Sequence, residues 1–474
     1  MKKSDRVVDI LRLPVVGALL RSRWGRLCLQ APLLLLAALV VYDGFTGPQL
    51  APTNLATVTI WIHYRGLVVL ALLLVGNLFC MGCPFALLRT VGVRLAGRGR
   101  RWPRRLRNKW GAVVLLFVIF WLYEWLDLWA SPELTVVLAL AYFAAAIALE
   151  AIFRESPFCK YLCPLGAFNM HHATVAPFQI RARDRQLCRS CANKECVNGD
   201  GQILGCGMEL YVPQIAGNLD CLLCLDCARA CPHDNVTLAA RGPGEELALA
   251  ASPGRKGLSL WRGRWDVAFL GLMLAFAGVS NAFGMVPPVY ELERALAGWL
   301  GTESDGLVLL LIFGAGNLAL PAGLAMAAAA ASRRLTGSTD PLRQIATRYA
   351  PAVMPLSLSI WTAHYLFHFA TGALSIVPVI QNFALDHGVS TLGSAPRWEL
   401  GAILPAAWLL PIQVGVVLAG LMGSLSALGA IGRNTRLPSR AVLPWLLLFL
   451  ILAVTAVTIF TMPMEMRGTV QFAH

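Results

Sequence analysis

Apolar residues run through this chain in long stretches separated by short polar loops. A membrane-spanning helix needs about 20 mostly apolar residues. About nine stretches fit, at roughly 28–43, 59–80, 111–130, 132–153, 265–287, 305–331, 351–380, 403–429 and 440–462. The pattern breaks between the fourth and fifth stretches. There, residues 178–262 are polar and finish in the Gly/Pro- and charge-rich "RGPGEELALAASPGRKG". The pattern predicts an all-α polytopic membrane protein in three parts. These are an N-terminal membrane domain (1–177), a small soluble insert (178–262) and a C-terminal membrane domain (263–474).

Composition agrees. The chain is 57% hydrophobic and 14% charged, against roughly 45–50% and about 25% in soluble proteins. The net charge of +14 does not make this a nucleic-acid binder, because Lys and Arg sit in loops between apolar stretches. That distribution reflects topology and contact with anionic lipid. The loop 43–58 has no Lys or Arg, while 89–109 reads "RTVGVRLAGRGRRWPRRLRNK". The alternation continues along the chain. It predicts a cytoplasmic N-terminus and insert and an outside C-terminus, in a bacterial-type inner membrane. The start "MKKSDRVVDILRLPVVGALLRSRWGRLC" is basic and weakly amphipathic, and reads as a cytoplasmic lead-in rather than a cleaved signal.

The chemistry lies in the thirteen cysteines. The insert carries "CLLCLDCARACP", or Cys221-x2-Cys224-x2-Cys227-x3-Cys231-Pro232. This is the bacterial ferredoxin run, in which three closely spaced thiolates wrap one cubane and the fourth ligates a second. A partner run lies upstream, Cys188-x2-Cys191-x4-Cys196 followed by Cys206. The crossed arrangement assigns Cys188, Cys191, Cys196 and Cys231 to one [4Fe–4S] cluster. It assigns Cys221, Cys224, Cys227 and Cys206 to the other. Zinc is the competing metal, but zinc sites use separated CxxC pairs rather than three cysteines at intervals of three.

Two further pairs flank the membrane. "FCMGCPF" contains Cys80 and Cys83, and "FCKYLCPLGAF" contains Cys159 and Cys163. Both end in Cys-Pro, and each follows a helical hairpin. This is a weak parallel repeat, whose pseudo-twofold would bring the four thiols together. Proline after the second cysteine bends the chain and predicts a broken helix start. Four thiolates in an apolar site suit a soft metal or an iron–sulfur centre. Redox-active thiol pairs and structural cysteines remain open alternatives. Cys28 is left over, and a buried, inert thiol is expected there.

The order "CMGCP", "CKYLCPLG" and a two-cluster insert resembles the membrane polyferredoxins over roughly residues 60–240. These include NapH-type proteins of nitrate reduction, NosR-type proteins of nitrous oxide respiration and CcoG-type proteins of oxidase assembly. The resemblance implies electron transfer between the quinone pool or cytoplasmic donors and acceptors across the membrane. It also implies redox or metal chemistry at the Cys-Pro pairs. This chain departs in having CxxCP in its first pair, no NosR-type flavin domain, and about five spans after the insert. The alternatives to respiratory electron transfer are a copper-handling assembly factor and a non-catalytic redox anchor of a respiratory complex.

The second half adds weaker candidates. "WTAHYLFHFATG" places His364 and His368 on one helix face. Histidines within a span point to haem b, a quinone pocket or a metal, or else to helix packing. They cannot both ligate one haem iron, since axial ligands come from opposite sides. His63 is a further intramembrane candidate. In the tail "FTMPMEMRG", Met462, Met464 and Met466 have spacing that suits Cu(I), with packing as the alternative. Glu124, Asp127 and Glu133 near the outer face and Glu150 toward the inner one are candidates to carry protons, with solvation at helix ends the expected account. No nucleotide-binding glycine motif or hydrolytic constellation is present in the sequence.

Overall fold

The computed structural model describes residues 8–464 apart from positions 23, 85–86, 88–98, 154–155, 250–260, 262 and 436. Its long apolar helical segments are, in chain order, α1 (Gly25–Thr46), α2 (Leu55–Leu74), α3 (Trp110–Trp125), α4 (Pro132–Ile152), α5 (Trp265–Phe283), α6 (Asp305–Thr336), α7 (Leu342–Asp386), α8 (Ala406–Asn434) and α9 (Ser439–Phe460). Eight of them are long and apolar enough to cross a membrane. Each expected stretch has its helix, but α3 has only 16 residues. At about 1.5 Å per residue it is about 24 Å long, short of a hydrocarbon core about 30 Å thick. It stops in a turn where Asp127 takes a left-handed φ of 43°.

The second stretch also ends earlier than its hydropathy implies. α2 stops at Leu74 because the chain turns at Gly76, whose φ is +88°. A separate short helix, Leu78–Gly82, then carries Cys80. α5 is the hub of the membrane part, with 89% of its apolar window buried. Trp361 of α7 donates to the Leu274 carbonyl of α5 at 2.8 Å. The outer helices keep leucines exposed, as lipid-facing surfaces do. Cys28 is one of these outward residues. The expectation that it is buried is corrected, since an apolar span exposes most of its surface to lipid rather than to protein.

The acids also divide. Glu133 sits exposed in the first turn of α4, where it complements the helix dipole. Glu124 and Glu150 are instead buried, at 4% and 2% exposure, so helix-end solvation does not account for them.

The insert is closed by a two-stranded antiparallel sheet. Its first strand, β1 (Phe178–Ala182), opens the segment and pairs with β2 (Val236–Ala240), which follows the last cysteine, from Phe178 opposite Ala240 to Ala182 opposite Val236. The chain start joins this sheet. Ala240 N donates to the Val8 carbonyl at 3.0 Å, and Asp9 accepts from Arg183 at 2.8 Å. On the membrane side Arg241 is buried. It pairs with Glu246 at 3.1 Å and donates to the carbonyls of Thr174 and Ala176, both at 2.9 Å. These bonds tie the insert to the end of the preceding membrane segment.

Candidate functional site

The cysteine loops owe their shape to backbone rather than to regular structure. Asp220, Leu223, Leu225 and Lys194 take φ values of 64°, 49°, 61° and 50°. Non-glycine residues in this region each cost on the order of 1–3 kcal/mol, and such strain concentrates at functional sites. Left-handed residues recur around Cys221 and Cys224. Turns that include this conformation can form concavities that hold anions and iron–sulfur groups.

The eight insert thiols fall into two electrostatic sets. Burial, and then the neighbouring thiols Cys231 and Cys191, push Cys188 up against a hydrogen bond from Asn235. Cys196 responds to Cys188, Cys231 and Cys191. Separately, burial and then Cys224, Cys206 and Cys221 push Cys227 well up. Cys221 rises to about 12 through burial, with Cys206 adding to it. So one set is Cys188, Cys191, Cys196 and Cys231, and the other is Cys206, Cys221, Cys224 and Cys227.

Each set receives N–H donors. Asn235 Nδ2 donates to Cys188 Sγ at 3.2 Å, and Asn235 N donates to Cys231 Sγ at 3.4 Å. Leu210 N donates to Cys206 Sγ at 3.4 Å. The second set also lies among cations. Arg26 pairs with Asp226 at 2.7 Å, and the buried Lys109 pairs with Asp220, the neighbour of Cys221. Lys160, inside the second Cys-Pro motif, donates to the Met208 carbonyl at 2.8 Å.

Packing connects the sets with one another and with the membrane. Cys221 and Cys227 share one apolar cluster with Cys196 and Cys231. Cys206 and Cys224 share the next, around Met170, Met208 and Leu222, with Cys80 and Cys159. Cys159 and Cys163 share a third with Phe158 and Ala146. The Cys-Pro motifs therefore sit directly beneath the second set. Cys163 caps the helix Pro164–His172, its Sγ accepting from Gly166 N at 3.1 Å. Cys159 lies in a π-turn, Phe158–Leu162, a form that recurs at functional sites. Among the described residues, no three His, Cys, Asp or Glu side chains stand close enough to hold one metal ion.

The other candidates lie elsewhere. His364 and His368 face each other, Nε2 to Nε2, at 3.0 Å, and the buried His364 Nδ1 has no partner. The ring nitrogens of His63 meet the carbonyls of Val58 at 3.0 Å and Ala373 at 2.8 Å. Met462 and Met464 pack against the core of the second half, and Met466 lies outside the described residues. Sequence reasoning missed Asn235, Asn169, Lys109, Tyr64 and Arg65. The Arg65 guanidinium stacks within the membrane on Trp61 at 4.3 Å and Tyr123 at 4.6 Å. An arginine in an apolar run was the available signal for it. A cavity of about 440 Å³ opens between α7, α8 and the 243–248 linker. Leu73, Val175, Leu358, Ser359 and Thr362 line it.

Comparison with known proteins gives two distant similarities. The chain is 27% identical over 153 residues to a protein of Escherichia coli (strain K12) named "Putative electron transport protein YccM", covering 31% of this chain and 38% of that one. It is 24% identical over 90 residues to an uncharacterised protein of Methanocaldococcus jannaschii, covering 19% of this chain and 33% of that one. The matched regions thus span well under half of either relative. No family model and no solved structure matches.

Proposed function

We propose that this is a membrane-embedded iron–sulfur electron-transfer protein whose insert holds two [4Fe–4S] clusters. The observation that carries the reading is that Asn235 donates to both Cys188 Sγ and Cys231 Sγ, so Cys231 crosses to the first run, while Cys206 interacts with Cys227 of the second. This is the exchange that the ferredoxin spacing requires. The N–H donors at Cys188, Cys231 and Cys206 fit thiolates that carry cluster charge. The distant likeness to a protein named for electron transport points the same way.

Clusters bound in these sets supply single-electron carriage. The protein's part is to hold the two sets in one apolar packing unit and to bring the inner set onto the membrane end. Loop charges put the insert on the cytoplasmic side. The partner is then the quinone pool or a respiratory subunit in or beyond the bilayer. The cavity beside Leu358 and Thr362 has the size of a small-molecule site, about 300–1,000 Å³, and is apolar enough for a quinone.

The test is anaerobic purification with iron and sulfide counts and electron paramagnetic resonance before and after dithionite. Two reducible cubanes, accounting for about eight irons in the insert, are expected. Cys231→Ser is expected to alter the same signal as Cys188→Ser, and Cys206→Ser the same signal as Cys221→Ser. Zinc or copper in place of iron, or a Cys231→Ser effect that follows Cys221→Ser, would overturn the reading. Copper would favour metal handling instead.

A further inference from the structure

We propose that Cys80, Cys83, Cys159 and Cys163 hold an iron–sulfur centre of their own, set at the membrane boundary beneath the insert. Its role as a relay rests on the electron-transfer reading above, while its presence does not.

Three features of the site carry the proposal. The first is convergence. The Tyr64 hydroxyl interacts electrostatically with Cys83, Cys80 and Cys163, and Cys163 with Cys80. Cys159 packs with Cys163 in one apolar cluster and with Cys80 in the next. Four thiols from two motifs 79 residues apart (Cys80 to Cys159) therefore face one small region.

The second feature is a shell built for sulfur that carries charge. Gly166 N donates to Cys163 Sγ at 3.1 Å, and Asn169 Nδ2 donates to Cys80 Sγ at 3.5 Å. Gly166 has little room for a side chain, since a Cβ there would lie 2.9 Å from the Cys159 carbonyl. Gln30, 2% exposed, donates to the carbonyls of Met81 at 3.1 Å and Cys83 at 3.3 Å. It thereby pins the end of the short helix Leu78–Gly82, where the chain leaves helical geometry at Cys83.

The third feature is unmet polar capacity at the same place. The buried Tyr64 hydroxyl, a donor, has no partner. Buried polar atoms without partners are uncommon and call for an explanation. A sulfide or thiolate beside Tyr64 gives its O–H an acceptor.

The class of centre follows from the donors. All four are thiols, which exclude hard cations. Iron–sulfur clusters are held by four cysteine thiolates. The Met170, Met208 and Leu222 cluster separates this site from the inner insert set by one layer of side chains.

Iron and sulfide per chain, with Mössbauer spectra, test this on the wild type purified anaerobically. The expected count is about eight irons from the insert plus about two or four more, for a [2Fe–2S] or a [4Fe–4S] centre. Cys80→Ser with Cys163→Ser is expected to lose only the excess and keep both insert signals. Cys188→Ser with Cys221→Ser is expected to keep the excess. A wild-type count of about eight with both insert signals intact overturns the proposal, even where the double variant fails to fold. So does excess iron that survives in the Cys80/Cys163 variant, or copper or zinc bound there instead. Loss of iron in that variant without insert clusters would sink the two-cluster reading and leave this one standing.

Discussion

Lys109 lies at the end of a run of basic residues that reads as a membrane-surface loop, yet its side chain is only 1% exposed. Its ammonium donates to the Lys160 carbonyl at 2.6 Å and pairs with Asp220, and its backbone N–H donates to Asp266 at 2.8 Å. One residue thus joins α5, the second Cys-Pro motif and the inner cysteine loop. Removing one partner of a buried pair leaves an uncompensated charge, at a cost of about 3–5 kcal/mol. Lys109→Ala is therefore expected to lower the unfolding free energy by about that amount. Thermal melts in detergent would check it, and a loss below about 1 kcal/mol would show the pair to be solvated. At this scale the sequence reveals ligands but not their supports. The cysteine spacings are local and readable. The Asn235 to Cys188 bond spans 47 residues and the Asn169 to Cys80 bond spans 89. No local pattern encodes bonds between residues that only the fold brings together.

At the scale of elements, hydropathy located every long helix because lipid demands continuous apolar runs with internal backbone bonding. It misjudged ends, which depend on backbone geometry and tertiary contact. Gly76 shows why. Hydropathy carries through it to Cys80, but its positive φ stops α2 and lets the chain pass under the insert. A Cβ there would lie 2.9 Å from Ala176 Cβ and 3.3 Å from Leu223 Cδ1. Asn77, the next residue, donates to the Cys221 carbonyl at 3.1 Å. Gly76→Val must then adopt an unfavourable backbone and push β1's approach away from the inner cysteine loop. The expected loss is on the order of 1–3 kcal/mol, together with a changed resonance signal from the Cys221 set and an unchanged one from the Cys188 set. Equal change in both signals would mean that the two sets move as one body. The strained Leu223 and Leu225 were likewise invisible in sequence, since leucine carries no turn signature.

For the whole molecule, contacts between distant elements settle which helix ends share a side. Val8 and Asp9 join the insert sheet, so the chain start and the insert lie together. Asn77 and Lys109 bond to the cysteine loop on that same side. Tyr42 meets His387, and Trp121 donates to Gly306, at the opposite end. An even number of crossings must therefore separate the chain start from the insert. α1, α2 and α4 supply three, so α3 is expected to supply the fourth despite its length, with the bilayer thinning or flanking side chains snorkelling to accommodate it. After the insert, Asn434 returns to bond the Ala248 carbonyl. α9 then carries the chain to the far side. In the orientation proposed above, the insert side faces the cytoplasm. Cysteine-accessibility labelling in intact cells is expected to protect single cysteines placed at 102–106 and within 193–202, and to label those placed at 48–52, 126–130 and 390–395. Labelling at 126–130 from the insert side would make α3 a re-entrant hairpin. The parity of the chain would then fail, and with it the placement of the chain start beside β2.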